Sequence, residues 1–155
     1  MSAKPFRYEA PGWGIGELWL DGSRAVWHEH PVAGPPADEG PAPPLVERLV
    51  AYFAGEPVDF DDVELDLEEL TPLGRDLAAA LRSVPRGEVV TYGELAALAG
   101  RPRAPRAAGS FCAQNRLAVI VPCHRVVSAG GLGSYGELGL EYKRRLLELE
   151  GWRPR

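Results

Sequence analysis

The sequence predicts an α+β protein: a small N-terminal domain containing a β-hairpin, residues 1–68, followed by a mostly helical domain with a helix-turn-helix, residues 69–155. Three observations predict this. Two runs of strand-like residues flank a turn near the N-terminus, helix-capping signals appear from Thr71 onward, and a chain of 155 residues suits a small domain joined to a larger one.

The composition narrows the class of protein. No apolar run approaches the roughly 20 residues of a membrane span, and residues 1–11 lack the apolar core of a secretory signal. Only Cys112 and Cys123 are present, which argues against a disulfide scaffold. A working thiol suits a reducing compartment, so we expect a cytoplasmic protein that does not bind membranes.

The charge is divided unevenly along the chain. Residues 1–70 carry 4 basic and 15 acidic side chains, whereas residues 71–155 carry 13 basic and 7 acidic ones. A basic half indicates a polyanionic partner such as nucleic acid. The alternative, that both halves are only solvated faces, is equally compatible with these numbers.

The first domain is predicted to begin with a hairpin. Residues 15–20 and 25–30 have strand character and flank the turn at 21–24, so Trp19 and Trp27 become core or cross-strand residues. His28 and His30 share one strand face, but a zinc site needs three or four ligands, and we expect no metal.

Three further segments complete this domain. The Pro-rich stretch 31–44 predicts a loop, and the apolar stripe of residues 45–53 predicts a helix ended by Gly55. The acidic run 59–69 predicts a solvated segment between the domains.

The second domain opens with capped helices. Thr71 and Pro72 suit the cap and first position of a helix that ends before Pro85. Thr91 and Glu94 form a capping box. The helix that they begin is expected to turn Leu95, Leu98 and Ala99 inward and to end at Gly100.

A second short helix, from about residue 104 to 114, makes a helix-turn-helix with the first. Its small residues include Ala107, Gly109 and Ser110. They allow the backbone to enter a narrow groove, such as the minor groove of DNA, or to pack tightly against another element. The sequence leaves both possibilities open.

Cys123 is the residue around which the predicted site is built. The apolar run 117–121 predicts a buried strand that Pro122 ends, which would present Cys123 at the strand terminus. His124 and Arg125 supply a proton acceptor and a positive charge, which favour the thiolate. Neighbours on a strand point to opposite faces, so His124 can serve Cys123 only if the backbone turns or a water bridges them. A buried, inert cysteine is the alternative.

The C-terminal stretch adds a loop and a helix. Glycines make residues 128–135 a flexible loop that can line a pocket, and residues 141–150 form a helix with Tyr142, Leu146 and Leu149 inward, stopped by Gly151. Glu150 lies at the C-terminus of this helix, where a carboxylate opposes the macrodipole. We therefore expect a cationic partner for it, and His124 is the candidate.

The stretch Pro-Cys-His-Arg-Val at 122–126 resembles the hallmark of the O6-alkylguanine-DNA alkyltransferase family. The resemblance extends over roughly residues 15–151 and is sharpest from Thr71. It implies DNA repair, in which Cys123 irreversibly takes an alkyl group from O6-alkylguanine, with O4-alkylthymine as an alternative substrate, after the base is flipped out. It also implies a monomer that needs no cofactor and acts on double-stranded DNA.

The resemblance also implies roles for individual residues. In the catalytic group, Cys123 accepts the alkyl group, His124 takes its proton through a water, and Glu150 orients His124. Asn115 is the hinge of the site and Tyr135 protonates the leaving guanine. Tyr92 helps to turn the nucleotide out, and Arg106 fills the vacated place in the base stack. The other expected contacts are Ala107, Gly109, Ser110 and Arg125 for DNA, and Val126, Ser128 and Tyr135 for the guanine pocket.

Several positions depart from the family pattern and put pocket size and DNA contacts in question, among them Ala108, Phe111, Arg116, Ala118 and Ser134. Three other functions remain open at this point. A non-catalytic lesion-binding relative would typically lack Cys123. A helix-turn-helix regulator would prefer an operator sequence, and a Cys–His hydrolase would turn over an ester.

Overall fold

A computed structural model describes residues 3–153 and shows two compact units. One unit runs to Asp66 and also includes Arg116–Ile120, and the other contains Leu67–Asn115 and the chain from Val121 onward. Residues 3–153 form five α-helices and two sheets, and this mixture confirms the α+β class. The inclusion of Arg116–Ile120 in the first unit was not predicted. In the described residues no helix is long and apolar enough to span a membrane.

The first unit contains a three-stranded antiparallel sheet in the order β1 (Lys4–Ala10), β2 (Gly14–Asp21) and β3 (Arg24–Val32). The predicted hairpin is β2–β3, and Gly22 at φ +63° supplies the left-handed backbone of its two-residue turn. Trp19 lies opposite Trp27, which confirms the cross-strand pairing. Strand β1 was not predicted; it is an edge strand, where Pro5 is tolerated.

Helix α1 (Pro44–Phe53) begins with proline at its first position and buries an apolar face. The acidic run that follows is not merely solvated, as the sequence suggested. Phe60, Val63 and Leu65 are buried in the core of this unit, and the backbone of Ala25 in β3 bonds to the segment at Glu64 and Asp66. Apolar residues alternate with the carboxylates in this segment, so its apolar side chains pack into the core while most of the carboxylates stay in solvent.

The second unit begins with helix α2 (Pro72–Arg82), capped by the Thr71 hydroxyl, which accepts from the Gly74 N–H at 3.0 Å. The capping box of Thr91 and Glu94 is also confirmed, and it begins helix α3 (Tyr92–Leu98). The expectation that Leu98 points inward is wrong, because the side chain is 57% exposed. A helix of only two turns buries a narrow face here, formed by Leu95 and Ala96.

Helix α4 (Pro105–Ala113) packs against α3 and completes the predicted helix-turn-helix. Ala108 is fully buried, whereas Arg106 and Ser110 are exposed. The small residues of this helix therefore do pack tightly on one side. On the other side they leave a face open to solvent.

Two short strands and a last helix complete the unit. Strand β4 (Val90–Thr91) pairs in parallel with β5 (Val126–Val127). Helix α5 (Gly139–Leu149) ends before Gly151, which has φ +93° as expected for a helix stop. Its buried residues are Lys143, Leu146 and Leu147, whereas Tyr142 and Leu149 are half-buried.

The run 117–121 is not a strand, and this prediction is wrong. Its residues form consecutive turns in which Val119 adopts φ +69°, an unusual conformation for a β-branched residue. Leu117 makes an isolated bridge with His28, and all five side chains are buried. A short apolar run predicts that a segment is buried but not that it is a strand, and this segment is buried without joining a sheet.

Candidate active site around Cys123

Cys123 begins a 3-10 helical turn, Cys123–Arg125, immediately before β5. The Cys123 N–H donates to the Val121 carbonyl at 2.8 Å, and the Arg125 N–H donates to the Pro122 carbonyl at 2.9 Å. The backbone therefore turns at the cysteine, which is one of the two conditions that the sequence set for His124 to serve it. The pairing of β5 with β4 then connects this turn to the strand that leads directly into α3.

Asn115 joins the end of α4 to the cysteine. Its side-chain amide donates to the Cys123 sulfur at 2.7 Å and to the Val121 carbonyl at 2.9 Å. A donor held against sulfur stabilises the thiolate more than the thiol. The amide therefore favours ionisation of Cys123.

Burial acts in the opposite direction and dominates. It raises the pKa of the Cys123 thiol well above its ordinary value, and hydrogen bonding to the Cys112 thiol adds to this effect. The expectation of a preformed thiolate is therefore wrong for this state of the protein. The positive charge of Arg125, which was expected to favour the thiolate, is directed at Glu150.

Glu150 accepts three hydrogen bonds from two residues of the turn. His124 Nε2 lies 2.6 Å from Oε2, while Arg125 places Nε 2.8 Å from Oε1 and a terminal nitrogen 3.0 Å from Oε2. Burial acts to raise the pKa of Glu150, but His124 and Arg125 outweigh it and hold the pKa well below its usual range. The predicted contact with His124 is present, and Arg125 is a second partner that the sequence did not reveal.

His124 is fully buried, and burial lowers its pKa although Glu150 opposes the shift. The imidazole is therefore neutral near pH 7. Because a carboxylate only accepts, Nε2 carries the proton, and Nδ1 is the basic nitrogen. The pair has the donor and acceptor arrangement of a general base with an orienting carboxylate.

Lys143 holds the loop that follows the cysteine. Its buried ammonium group donates to the carbonyls of Val126 and Leu132 at 2.6 Å and of Ser134 at 3.2 Å. The sequence analysis missed this residue because it stands among charged neighbours. Its spacing of three and four residues from Leu146 and Leu147 was the available signal.

Two tyrosines border this loop. Tyr135 stacks on Tyr142 with ring centroids 6.5 Å apart, and the Tyr92 hydroxyl is hydrogen-bonded to Ser134. Burial raises the pKa of both Tyr92 and Tyr135, so both phenols keep their protons at neutral pH. At Gly133, an added Cβ would lie 3.2 Å from the Tyr92 hydroxyl oxygen, so a side chain there would crowd the loop.

The remaining predicted residues fall into two groups. Arg106 and Ser110 are exposed on α4, with Ala107 and Gly109 half-buried beside them. Val126 and Ser128 follow the Cys123–Arg125 turn, Val126 fully buried in β5 and the Ser128 hydroxyl donating to Gly131. Arg125 stands apart from the exposed face of α4, because its guanidinium group is bonded to Glu150 and to the Val84 carbonyl. These bonds argue against the predicted contact between Arg125 and DNA.

Cys112 lies close to the Cys123 sulfur, and the sequence assigned it no role. It lies in the last turn of α4, and its thiol is hydrogen-bonded to that of Cys123. Its position three residues before Asn115 was the only sequence signal. Within residues 3–153 no cluster of three or more His, Cys, Asp or Glu side chains could hold a metal ion.

The fold and the site define a protein in which a helix-turn-helix unit carries a buried cysteine beside a histidine–glutamate pair. Comparison with known proteins agrees with this class. The family model described as "6-O-methylguanine DNA methyltransferase, DNA binding domain" matches residues 72–152. The chain therefore belongs to the O6-methylguanine-DNA methyltransferase family.

Individual relatives are similar over most of the chain. The methylated-DNA–protein-cysteine methyltransferase of Methanopyrus kandleri is 48% identical over 110 residues, 71% of this chain and 81% of the relative. That of Mycolicibacterium paratuberculosis is 45% identical over 129 residues, 83% of this chain and 72% of the relative. The crystal structure of Mycobacterium tuberculosis OGT in complex with DNA has a TM-score of 0.79 at 39% identity, covering 95% of this chain and 92% of that one.

Proposed function

We propose that this protein repairs DNA by transferring one alkyl group from O6-alkylguanine in a duplex to its own Cys123. The observation that carries the proposal is the Cys123–Arg125 turn, which sets the nucleophile next to a buried His124–Glu150 pair in a chain of this family. A cysteine with these neighbours disfavours the non-catalytic and regulatory alternatives.

The first step is ionisation of the thiol. Because burial raises the pKa of Cys123, the proton must leave as the reaction proceeds. Nδ1 of His124 accepts it through a water, and Glu150 stabilises the imidazolium. The Asn115 amide, 2.7 Å from the sulfur, stabilises the developing thiolate.

The second step is displacement at the alkyl carbon. The sulfur–carbon bond forms as the carbon–oxygen bond breaks, and the departing guanine takes a proton. Tyr135 is the proposed donor; a phenol is protonated at neutral pH, and burial raises the pKa of Tyr135 further. The thioether has no route back to a thiol, so each chain acts once and requires no cofactor.

The lesion must leave the base stack before the sulfur can reach it. We propose that the exposed face of α4, with Arg106, Ala107, Gly109 and Ser110, enters the minor groove, and that Arg106 fills the vacated position. Tyr92 assists extrusion, and Val126 and Ser128 contribute to the pocket that receives the guanine. Residues 69–155 would thus form the DNA-binding and acceptor domain, with residues 1–68 as a separate N-terminal domain.

Two further expectations accompany this function. The acceptor site is built from residues of one chain, so we propose that the protein acts as a monomer. Cys112 and Cys123 are both free thiols, which suits a reducing cytoplasm.

The experiment is intact-protein mass spectrometry after incubation with a duplex that carries one O6-methylguanine. The mass should rise by one methyl group, located on the tryptic peptide of residues 117–125. Cys123→Ala should remain unmodified while still binding DNA, and Cys112→Ala should be methylated like the wild type. An unmodified Cys123 after complete binding, or a methyl group on Cys112, would refute the proposal.

A further inference from the structure

The two cysteines of the chain meet at one point of the second unit. Cys112 lies in the last turn of α4, and Cys123 begins the Cys123–Arg125 turn. Asn115 connects them, because its backbone N–H donates to the Cys112 carbonyl at 3.4 Å while its side chain donates to the Cys123 sulfur at 2.7 Å. The two thiols are themselves hydrogen-bonded.

We propose that Cys112 and Cys123 form a reversible intramolecular disulfide when the protein meets hydrogen peroxide, and that this bond protects the acceptor sulfur from irreversible oxidation. Nothing in the alkyl-transfer mechanism uses Cys112. Its contact with Cys123 is the arrangement in which an oxidised sulfur is captured by a neighbouring thiol before further oxidation.

The two sulfur atoms are not equivalent. Cys123 is 6% exposed, whereas Cys112 is half-buried and is the more accessible to a small oxidant. The hydrogen bond from Cys123 lowers the pKa of Cys112, burial opposes this, and the Lys143 ammonium group lowers it further. Burial raises the pKa of Cys123. Cys112 is therefore the sulfur that a small oxidant reaches first, and the direction of its pKa shift agrees with that order.

The chemistry balances with one peroxide molecule. The Cys112 thiolate attacks a peroxide oxygen, so that a sulfur–oxygen bond forms, the oxygen–oxygen bond breaks and hydroxide leaves. The Cys123 sulfur then attacks the Cys112 sulfenic acid, the disulfide forms, and the sulfur–oxygen bond breaks. The departing oxygen leaves as water with the proton of Cys123. The two thiols supply the two electrons that reduce the peroxide, and a dithiol reductant reverses the bond.

Such protection matters because the acceptor sulfur can be used only once in the proposed function. A sulfinic or sulfonic acid at Cys123 would be permanent, whereas a disulfide is not. The protective benefit rests on the proposed alkyl transfer. Disulfide formation does not, and it can be measured independently.

The test treats the full chain with hydrogen peroxide in the absence of DNA, blocks remaining thiols, and digests without reduction. Trypsin places Cys112 in residues 107–116 and Cys123 in residues 117–125. We expect these two peptides to be joined and two hydrogen atoms lighter than their sum. Dithiothreitol should separate them and restore most of the methyl transfer that peroxide removed.

Cys112→Ser is the matched control, and its transfer before oxidation shows that it is folded. After peroxide it should give no joined peptide, it should carry sulfinic or sulfonic acid at Cys123, and dithiothreitol should not restore transfer. Over-oxidised Cys123 in the wild type, disulfide-linked dimers, or equal recovery in Cys112→Ser would overturn the proposal. If alkyl transfer is itself absent, the joined peptide still decides whether the disulfide forms.

Discussion

Nε2 of His124 lies 2.6 Å from Oε2 of Glu150, and both side chains are inaccessible to solvent. The same carboxylate also receives two hydrogen bonds from Arg125, so the charge of the buried anion is balanced by the arginine, while the neutral imidazole donates a hydrogen bond to it. This arrangement fixes the protonated nitrogen of His124 and makes the other nitrogen the base. It also connects the end of α5 to the turn that carries Cys123.

Replacing the carboxylate tests this network. Glu150→Gln should lower the free energy of unfolding by about 3–5 kcal/mol, because removing one partner leaves the other charge buried without compensation. It should also slow methyl transfer, since the imidazolium formed during the reaction loses its counter-ion. Denaturant unfolding and single-turnover rates measure the two effects.

The control is Glu148→Gln, an exposed carboxylate on the same helix, which should change stability by less than about 0.5 kcal/mol. Equal stabilities for Glu150→Gln and Glu148→Gln would show that the buried charge network does not operate as described.

Arg106 is exposed in the first turn of α4, where a long planar side chain can enter a base stack. Arg106→Ala should slow repair of a duplex much more than reaction with free O6-benzylguanine, because only the duplex requires extrusion of the base. Single-turnover rates with the two substrates give the comparison.

Two variants separate stacking from charge. Arg106→Lys keeps the positive charge but loses the planar guanidinium group. If Arg106 acts by stacking, the duplex repair rate of this variant should stay well below that of the wild type; if it acts only through its charge, the two rates should be similar. Arg103→Ala removes a nearby exposed charge and should weaken binding in a salt-dependent way without selective loss of repair. The same loss for Arg106→Ala on both substrates would exclude insertion into the stack.

The sequence predicted the elements whose signals are local. Thr71 and the Thr91–Glu94 pair identified two helix starts, because a capping side chain bonds to backbone only three residues away. The run 117–121 was misassigned for the opposite reason. Its burial depends on the bridge from Leu117 to His28, which lies about 90 residues earlier in the chain and leaves no local trace.

The same distinction applies to the site. Cys123, His124 and Glu150 were identified from a motif and from the unfavourable placement of a carboxylate at a helix end. The protonation state of Cys123 was predicted wrongly, because burial is a property of the folded unit and outweighs the flanking residues. Lys143 was missed because it stands among charged neighbours, and nothing local in the sequence links it to its carbonyl partners in β5 and in the loop that follows.

Lys143 provides a test of how the pocket loop is held. Lys143→Met keeps the length of the side chain but removes the donor from the carbonyls of Val126, Leu132 and Ser134. A buried carbonyl left unpaired costs about 1–3 kcal/mol, so the variant should be clearly destabilised. Hydrogen exchange should increase in residues 128–135.

Arg144→Met is the matched control, since Arg144 is the next residue along the helix and its 3.7 Å ion pair is with an exposed glutamate. It should leave both stability and exchange of the loop nearly unchanged. Unaltered exchange of residues 128–135 in Lys143→Met would mean that the loop is held by other contacts.

His28 provides a pH-dependent test within the first unit. It is fully buried between the Tyr8 hydroxyl, at 2.7 Å from Nε2, and the Ala118 carbonyl, which faces Nδ1. The carbonyl accepts from Nδ1, and in the neutral ring Nε2 then accepts from the hydroxyl. Burial lowers the pKa of His28 from 6.5 to about 4, although the hydrogen bond to Ala118 opposes the shift.

The lowered pKa of His28 fixes the direction in which stability changes with pH. Between pH 6.5 and about 4 the unfolded chain binds a proton at His28 that the folded chain does not, so stability falls as the pH falls through this range. At 1.36 kcal/mol for each pKa unit, the loss amounts to about 3 kcal/mol. His124, whose pKa burial also lowers, adds to it, so the contribution of His28 must be obtained by difference.

His28→Asn supplies that difference, because asparagine does not titrate and can still donate to the Ala118 carbonyl. Its melting temperature should fall less between pH 6.5 and 4 than that of the wild type, even if it begins lower. Parallel pH profiles for His28→Asn and the wild type would mean that His28 is charged in the folded protein, and its position between a phenol and a carbonyl would then need a different explanation.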